Sequence, residues 1–251
     1  MKIKFSILAI AAGLFLSGYK ANVTDDPPMT VAKKLVRTSI GKDQSISFNT
    51  DGTLQMISWI QAGSLCEKLF SYSPAKISYT LTIDGEKKED GEYKLAGGRV
   101  VTLDWLSFDD PGKPSAHYLE LFTYNAEGLL QKHSFNSSWS EYVYDDDQNL
   151  ARASHFNSQG QPTTIVEYKY TSIKDLFPAI NYFNKDGSGF FLPAFSKYLP
   201  SSKKVTKVST GVVTLKGKFS YELDADGYVL AGRWDALSAG DPDLEWTNRF
   251  Q

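Results

Sequence analysis

A chain of 251 residues with 41% hydrophobic and 22% charged residues has the makeup of a folded soluble protein, long enough for one large all-β domain or two small ones. Its formal net charge of −2 excludes an electrostatic affinity for nucleic acid, and its single cysteine, Cys66, excludes an intrachain disulfide. Phe, Tyr and Trp make up 14% of the chain, which among so many turn signals points first to sheet packing.

Residues 1–18 read as an export signal. Lys2 and Lys4 form its positive start, and 5–16 is an apolar run too short to span a bilayer comfortably. Removing Lys2 and Lys4 from the 27 basic residues leaves 25 against 29 acidic ones. Leu16, Ser17 and Gly18 fit the residues that precede a lipidated cysteine in bacterial lipoproteins, and Tyr19 stands where that cysteine belongs. Two readings stay open: an ordinary secretory signal, or lipoprotein ancestry in which Tyr19 replaces the acceptor thiol. Residues 19–30 form a polar, proline-bearing tether. The remainder, 31–251, is expected to be a single antiparallel β domain.

Its strands follow from alternation and turn chemistry. A first hairpin, 45–48 with 54–60, flanks a turn at 49–52, and 63–74 reads as a loop. Residues 76–83 alternate Ile77, Tyr79, Leu81 and Ile83 against Ser78, Thr80 and Thr82, the clearest half-buried strand in the chain. Asp84-Gly85 turns after it, and the charged run 86–92 reads as an exposed hairpin end. Two strands follow in 93–106, broken at Gly97-Gly98, and the prolines of 109–114 mark a loop. Strands at 116–124, 129–135, 139–144, 150–156 and 163–170 then form a meander. The stretch 172–199 reads as an apolar insertion of short turns and hairpins, with a helical turn at 173–177. Final strands are expected at 204–215, 219–223 and 228–234, with Gly217 turning the first pair and Asp226-Gly227 the second. The tail 244–250 can pair as a last strand.

Through the meander a phrase repeats: an aromatic, Asn or Asp, two residues, then Gly or Asn. It is seen at Tyr124 with Asn125 to Gly128, and at Phe156 with Asn157 to Gly160. A copy read as one residue longer runs from Tyr144 and Asp145 to Asn149. It returns at Phe48 with Asn49 to Gly52, at Phe183 with Asn184 to Gly187, and at Asp224 to Gly227. The Asn or Asp accepts a backbone hydrogen bond, and the Gly or Asn takes the positive φ that closes a hairpin.

Tyr142-Val143-Tyr144-Asp145, with Asn149-Leu150 after it, resembles the tyrosine-aspartate repeats of the RHS family of large bacterial surface proteins. Together with the late element Ser196-Lys197-Tyr198-Leu199-Pro200, the layout is similar to small Bacteroides-type exported lipoproteins of unknown function that carry such repeats. The resemblance implies a mainly β fold, one antiparallel sheet curled as a half-barrel or part of a porin barrel with a short insertion near 172–199, and no known catalysis. Tyr19 departs from the lipoprotein pattern.

No residue is nominated as catalytic, metal-binding or cofactor-binding, and no cofactor is expected. Asp145, Asp147 and Asn149 mimic the opening of a calcium loop, but Leu150 stands where that loop needs glycine and the distal Glu is missing. His117, His133 and His155 lack close metal-ligand spacing, and Ser64-Leu65-Cys66-Glu67 carries no nucleophile motif. Gly97-Gly98 and Gly187-Ser188-Gly189 lack the Lys-Ser/Thr successor of a phosphate cradle. Trp59, Trp105, Trp139, Trp234 and Trp246 lie on strand-like segments and read either as core or as a binding face.

The sequence therefore reads as a non-enzymatic cell-envelope or secreted protein, exported to the periplasm, the outer-membrane surface or the medium, that binds a glycan, a peptide or an envelope protein. The alternative is a carboxylate-pair hydrolase acting on an extracellular glycan. A third reading, an outer-membrane barrel, needs unbroken lipid-facing apolar alternation that few segments supply.

Overall fold

The structure, a computed structural model, describes residues 35–40, 43–110, 113–176, 196–237 and 243–250. These residues form sixteen strands and no helix. In chain order they are β1 (Leu35–Ile40), β2 (Gln44–Phe48), β3 (Leu54–Gln61), β4 (Ser64–Ser73), β5 (Lys76–Ile83), β6 (Glu86–Ala96), β7 (Arg99–Asp110) and β8 (Lys113–Tyr124). They continue with β9 (Leu130–Phe135), β10 (Ser138–Tyr144), β11 (Leu150–Phe156), β12 (Pro162–Lys174), β13 (Tyr198–Lys207), β14 (Val212–Leu223), β15 (Val229–Ala236) and β16 (Leu244–Phe250).

Every strand pairs antiparallel with its neighbours in sequence, and β16 returns to pair with β1, so the meander closes into a barrel. The closing ladder sets Leu35 opposite Phe250 and Ile40 opposite Trp246. Asn248 stitches the seam, its Oδ1 accepting from Thr38 Oγ1 at 2.8 Å and its Nδ2 donating to the Val229 carbonyl at 2.9 Å. The expected half-barrel is thus corrected: closure leaves no sheet edge for a half-barrel to expose. The expected helical turn is corrected too, because Ile173 and Lys174 end β12; the rest of that insertion, 177–195, with the phrase at Asn184 to Gly187, lies outside the described residues.

Four further expectations change. The loop at 63–74 is strand β4, the charged hairpin end at 86–92 is the first part of β6, and the proline loop is crossed by β7 and β8 almost to its tip. Gly217 lies inside β14, and the turn falls at 208–211 instead. By contrast 76–83 is β5 as the alternation predicted, and the meander strands hold to within a few residues.

Ladder partners share a face of the sheet, so register assigns every side chain to the inside or the outside. Ile77, Tyr79 and Leu81 point inward and are 4–7% exposed, whereas Ser78 and Thr80 point out. Two apolar clusters fill much of the interior. One joins β1–β3 to β15, β16 and Leu199, with Ile46, Ile57, Trp234 and Trp246 at its centre. The other spans β5–β9 around Tyr93, Val100, Leu103 and Leu130. The outside is charged at mid-strand. Arg152, Glu167, Lys204 and Lys216 form one outward row across β11–β14, with Lys204 ion-paired to Glu167. Asp104 lies opposite outward Leu119, and Glu141 separates outward Trp139 from Val143. No continuous apolar band survives on these faces.

Among the described residues the repeated phrase builds five turns of one design. The head residue's N–H donates to the fifth carbonyl and the fourth N–H donates back, as in Asn125 N to Leu129 O at 2.9 Å and Gly128 N to Asn125 O at 3.0 Å. In four of them the head side chain also accepts the fifth N–H: Asn125, Asp145, Asn157 and Asp224 do so at 2.8–3.0 Å. Gln148 takes positive φ, 65°, where Gly128 takes 81°. The copy at 145–149 is therefore the same length as the others, with Gln148 in the glycine place.

A tyrosine near the end of a later strand locks a residue at or near the start of the strand before it. Tyr144 Oη donates to Leu130 O at 3.0 Å, Tyr170 to Leu150 O at 2.8 Å, Tyr124 to Val100 O at 2.5 Å, Tyr72 to Leu54 O at 2.7 Å and Tyr221 to Pro200 O at 2.7 Å. Burial pushes all five phenols above their ordinary range, Tyr124 to about 12. Strand alternation puts all five contacts at one end of the barrel, which is where the phrase is densest.

Candidate functional site

Four of the five tryptophans face inward. Trp234 and Trp246 are buried in the first cluster, Trp59 packs against it, and Trp105 stacks on Tyr118 with centroids 4.1 Å apart. Only Trp139 is outward, against Phe156 at 5.2 Å with Lys132 Nζ 4.6 Å from its centroid. The tryptophans are therefore framework more than platform. Cys66 is inward and 1% exposed, and burial raises its thiol pKa, so it is a packed apolar group and not an activated nucleophile.

The histidines divide. His117 is outside, its Nε2 2.6 Å from Asp104 Oδ1. His133 and His155 meet inside on one row with Phe122, Ser140 and Thr164. Glu120 joins the row diagonally: Trp105 Nε1 donates to its Oε1 at 3.3 Å, and its Oε2 lies 2.6 Å from His133 Nε2. Ser140 Oγ lies 2.7 Å from His155 Nδ1. Single-residue spacing hid this row, since 13 and 15 residues separate its hydrogen-bonded members; only the hairpin register reveals it. The His133 and Glu120 side chains are 24% and 13% exposed although they point inward, so the interior is not closed to water at this level.

His155 is held below the ordinary histidine range, first by burial, then by the charges of His133 and Lys203. Lys203, inward on β13, is also lowered by burial. Ser140 and Tyr142 on β10 and Thr164 and Val166 on β12 flank His155 and offer no carboxylate. A histidine whose folded pKa lies below its unfolded one binds its proton more readily when unfolded, so stability falls as pH drops below about 6.5. The denaturation midpoint is expected to decline from pH 7 to pH 5, and His155→Asn is expected to flatten that decline. An equal slope in the variant would move the effect to other groups.

Two open clefts lie on the barrel among the described residues. One, of about 480 Å³, lies on the outside of β5–β7 and holds Asp90, Glu92 and Asp104. Each of these carboxylates has a cationic partner, Lys87 for Asp90, Lys76 for Glu92 and Lys94 for Asp104, and His117 Nε2 also lies against Asp104. The other, of about 620 Å³, lies at the tyrosine-locked end between the turn carrying Asp145, Asp147 and Asn149 and the stretch of β12 from Tyr168 to Ser172, with Tyr198 opposite. Its floor is fixed by Asn149, 1% exposed, whose Oδ1 accepts the Lys197 and Tyr198 N–H groups at 2.9 and 3.2 Å. Two of the three calcium-like residues of this turn are committed otherwise, since Asp145 accepts from the Asn149 backbone and side chain and Asn149 Oδ1 accepts from Lys197 and Tyr198.

No family model and no curated protein matches the chain. Solved structures do share its fold. A porin-like protein from Bacteroides uniformis is 12% identical, with a TM-score of 0.60 over 86% of this chain and 96% of that one. A porin-like protein from Bacteroides vulgatus is 11% identical, with a TM-score of 0.58 over 87% and 99%. The likeness is one of fold.

Proposed function

We propose that this chain is an exported, non-enzymatic protein of the cell envelope or its surroundings, a water-soluble barrel that binds a glycan, a peptide or another envelope protein. The observation that carries it is the polarity of the wall. A membrane-spanning barrel keeps its lipid face apolar over a band about 25 Å tall, and a Lys or Arg at mid-bilayer costs about 2–4 kcal/mol. Here Arg152, Lys204, Lys216 and Arg233 all point outward from strands and break up the outward Leu65, Leu69, Leu119 and Val143, while the two apolar clusters lie inside. The porin-like neighbours support the shape and the envelope setting. The export signal at 1–18, the tether at 19–30 and the two readings of Tyr19, an ordinary secretory signal or a replaced lipid acceptor, belong to the same proposal.

The full chain, expressed with its leader, is expected to be recovered from the envelope or medium in detergent-free buffer as a monodisperse protein that does not conduct ions in planar bilayers. Extraction only with detergent, together with discrete channel currents, would overturn the reading in favour of a pore.

A further inference from the structure

We propose that the cleft between the 145–149 turn and the overhanging end of β12 is a saccharide-binding site. The inference rests on the binding reading above and gives it a place and a ligand class.

The cleft exists because two neighbouring strands stop at different heights. The ladder of β11 with β12 ends at Arg152 opposite Glu167, yet β12 runs on to Lys174, still paired with β13 at Tyr170–Pro200 and Lys174–Tyr198. The 145–149 turn stands across the part of β12 that β11 leaves uncovered. The resulting space of about 620 Å³ falls in the size range of small-ligand sites. Its walls are rigid before any ligand arrives: Asn149 holds the start of β13, Tyr170 Oη is bound to Leu150 O, and Thr171 Oγ1 donates to Leu199 O at 3.1 Å. Ordering of these groups is thus already complete, which favours affinity.

Several polar side chains remain to meet a guest. Among the described residues, no hydrogen bond or ion pair commits the side chains of Asp147, Lys169, Ser172 or Tyr198. They supply a carboxylate acceptor, an ammonium donor, a hydroxyl and a phenol, donors and acceptors in near balance. A phosphate-bearing ligand would be repelled by Asp145 and Asp147. An apolar ligand would strand these polar groups without water. A neutral ring carrying hydroxyls on successive carbons satisfies both kinds of group, and the Tyr198 ring offers its C–H face a partner. An extended peptide is the competing guest, because strand addition uses an uncovered strand edge. The 145–149 turn lines the same cleft as Tyr168 to Ser172 and so stands against that edge.

The probe is a set of neutral gluco-, galacto- and manno-configured oligosaccharides, tested on the full chain by saturation-transfer NMR and then by titration. Transfer to at least one configuration is expected, with Kd weakened tenfold or more by Asp147→Ala and by Tyr198→Ala, and unchanged by Glu92→Ala in the outer cleft. Circular dichroism melts establish that each variant is folded. Silence across the set overturns the inference, as does binding that Asp147→Ala, Ser172→Ala and Tyr198→Ala all leave intact. A chain that ignores every sugar but binds extended peptides loses this inference and keeps the binding reading. Membrane currents would remove the binding reading instead.

Discussion

Replacing Gly232 by valine is expected to destabilise the barrel by about 3 kcal/mol, a fall in melting temperature of roughly 6–12 °C, or to prevent folding. Gly232 lies inward on β15, directly opposite Trp246 on β16, and a Cβ built on it falls inside the indole ring. The ring cannot retreat. Trp246 is 2% exposed, meets Ile40 across the closing ladder, and takes the edge-on rings of Tyr221 and Phe219 at 6.0 and 6.4 Å. Because those contacts sit at the seam, displacing the indole also pries β16 from β1. Gly91 beneath Tyr79 and Gly217 beneath Trp234 repeat the arrangement, each ring filling the gap a neighbouring glycine leaves on the inner wall. The double variant Gly232→Ala with Trp246→Leu tests the cause. If the clash is the cause, its loss in urea denaturation is smaller than the sum of the two single losses by about 1–2 kcal/mol. Simple additivity would refute the packing account.

The same glycines explain where sequence reading stopped. Gly217 looks like a turn because nothing local says that Trp234, on the next strand, will occupy its missing side chain. Strand β4 was hidden for a related reason: its outward positions hold Leu65 and Leu69, while its inward ones hold Ser64, Cys66 and Lys68, which inverts the usual pattern. Lys68 is tolerated inside because its ammonium lies 3.7 Å from the Tyr79 centroid. The hairpins themselves were legible, since turn chemistry is local: Asn125, Asn157 and Asp224 each accept a backbone N–H four residues on, and the glycine before it takes positive φ. Closure was not legible. An open meander and a closed one have the same neighbours everywhere except at β1 and β16, and β1 carried no strand signal strong enough to be counted. The inner row of Glu120, His133, Ser140 and His155 needed the register of three hairpins, and the rim cleft needed the unequal lengths of β11 and β12.

Asn149 is where turn, fold and cleft meet, and Asn149→Ala is expected to cost about 3 kcal/mol. Removing its side chain takes the acceptor from two backbone N–H groups, those of Lys197 and Tyr198, and each unpaired buried donor costs about 1–3 kcal/mol. The turn would also lose the donor that Asp145 now accepts from both of its oxygens. Asn149→Asp separates these two effects. It keeps an acceptor for Lys197 and Tyr198 but sets a second carboxylate against Asp145 in a nearly fully buried place. Repulsion and burial then raise the folded pKa of the new acid above its unfolded value of about 3.9. A carboxyl raised on folding contributes its stability at low pH and loses it as pH rises, so this variant is expected to gain stability as pH falls from 7 to 5, opposite in sign to the His155 effect of the parent chain. Urea midpoints at pH 5, 6 and 7 measure it. Should Asn149→Asp track the parent at every pH, the carboxylates are not in contact and the turn is not the anchor described. If the slope reverses, one amide holds the rim of the barrel closed. Oligosaccharide binding in the cleft should then weaken with Asn149→Asp at pH 7 more than at pH 5, because the wall that Asp147 and Tyr198 depend on loosens with the same proton.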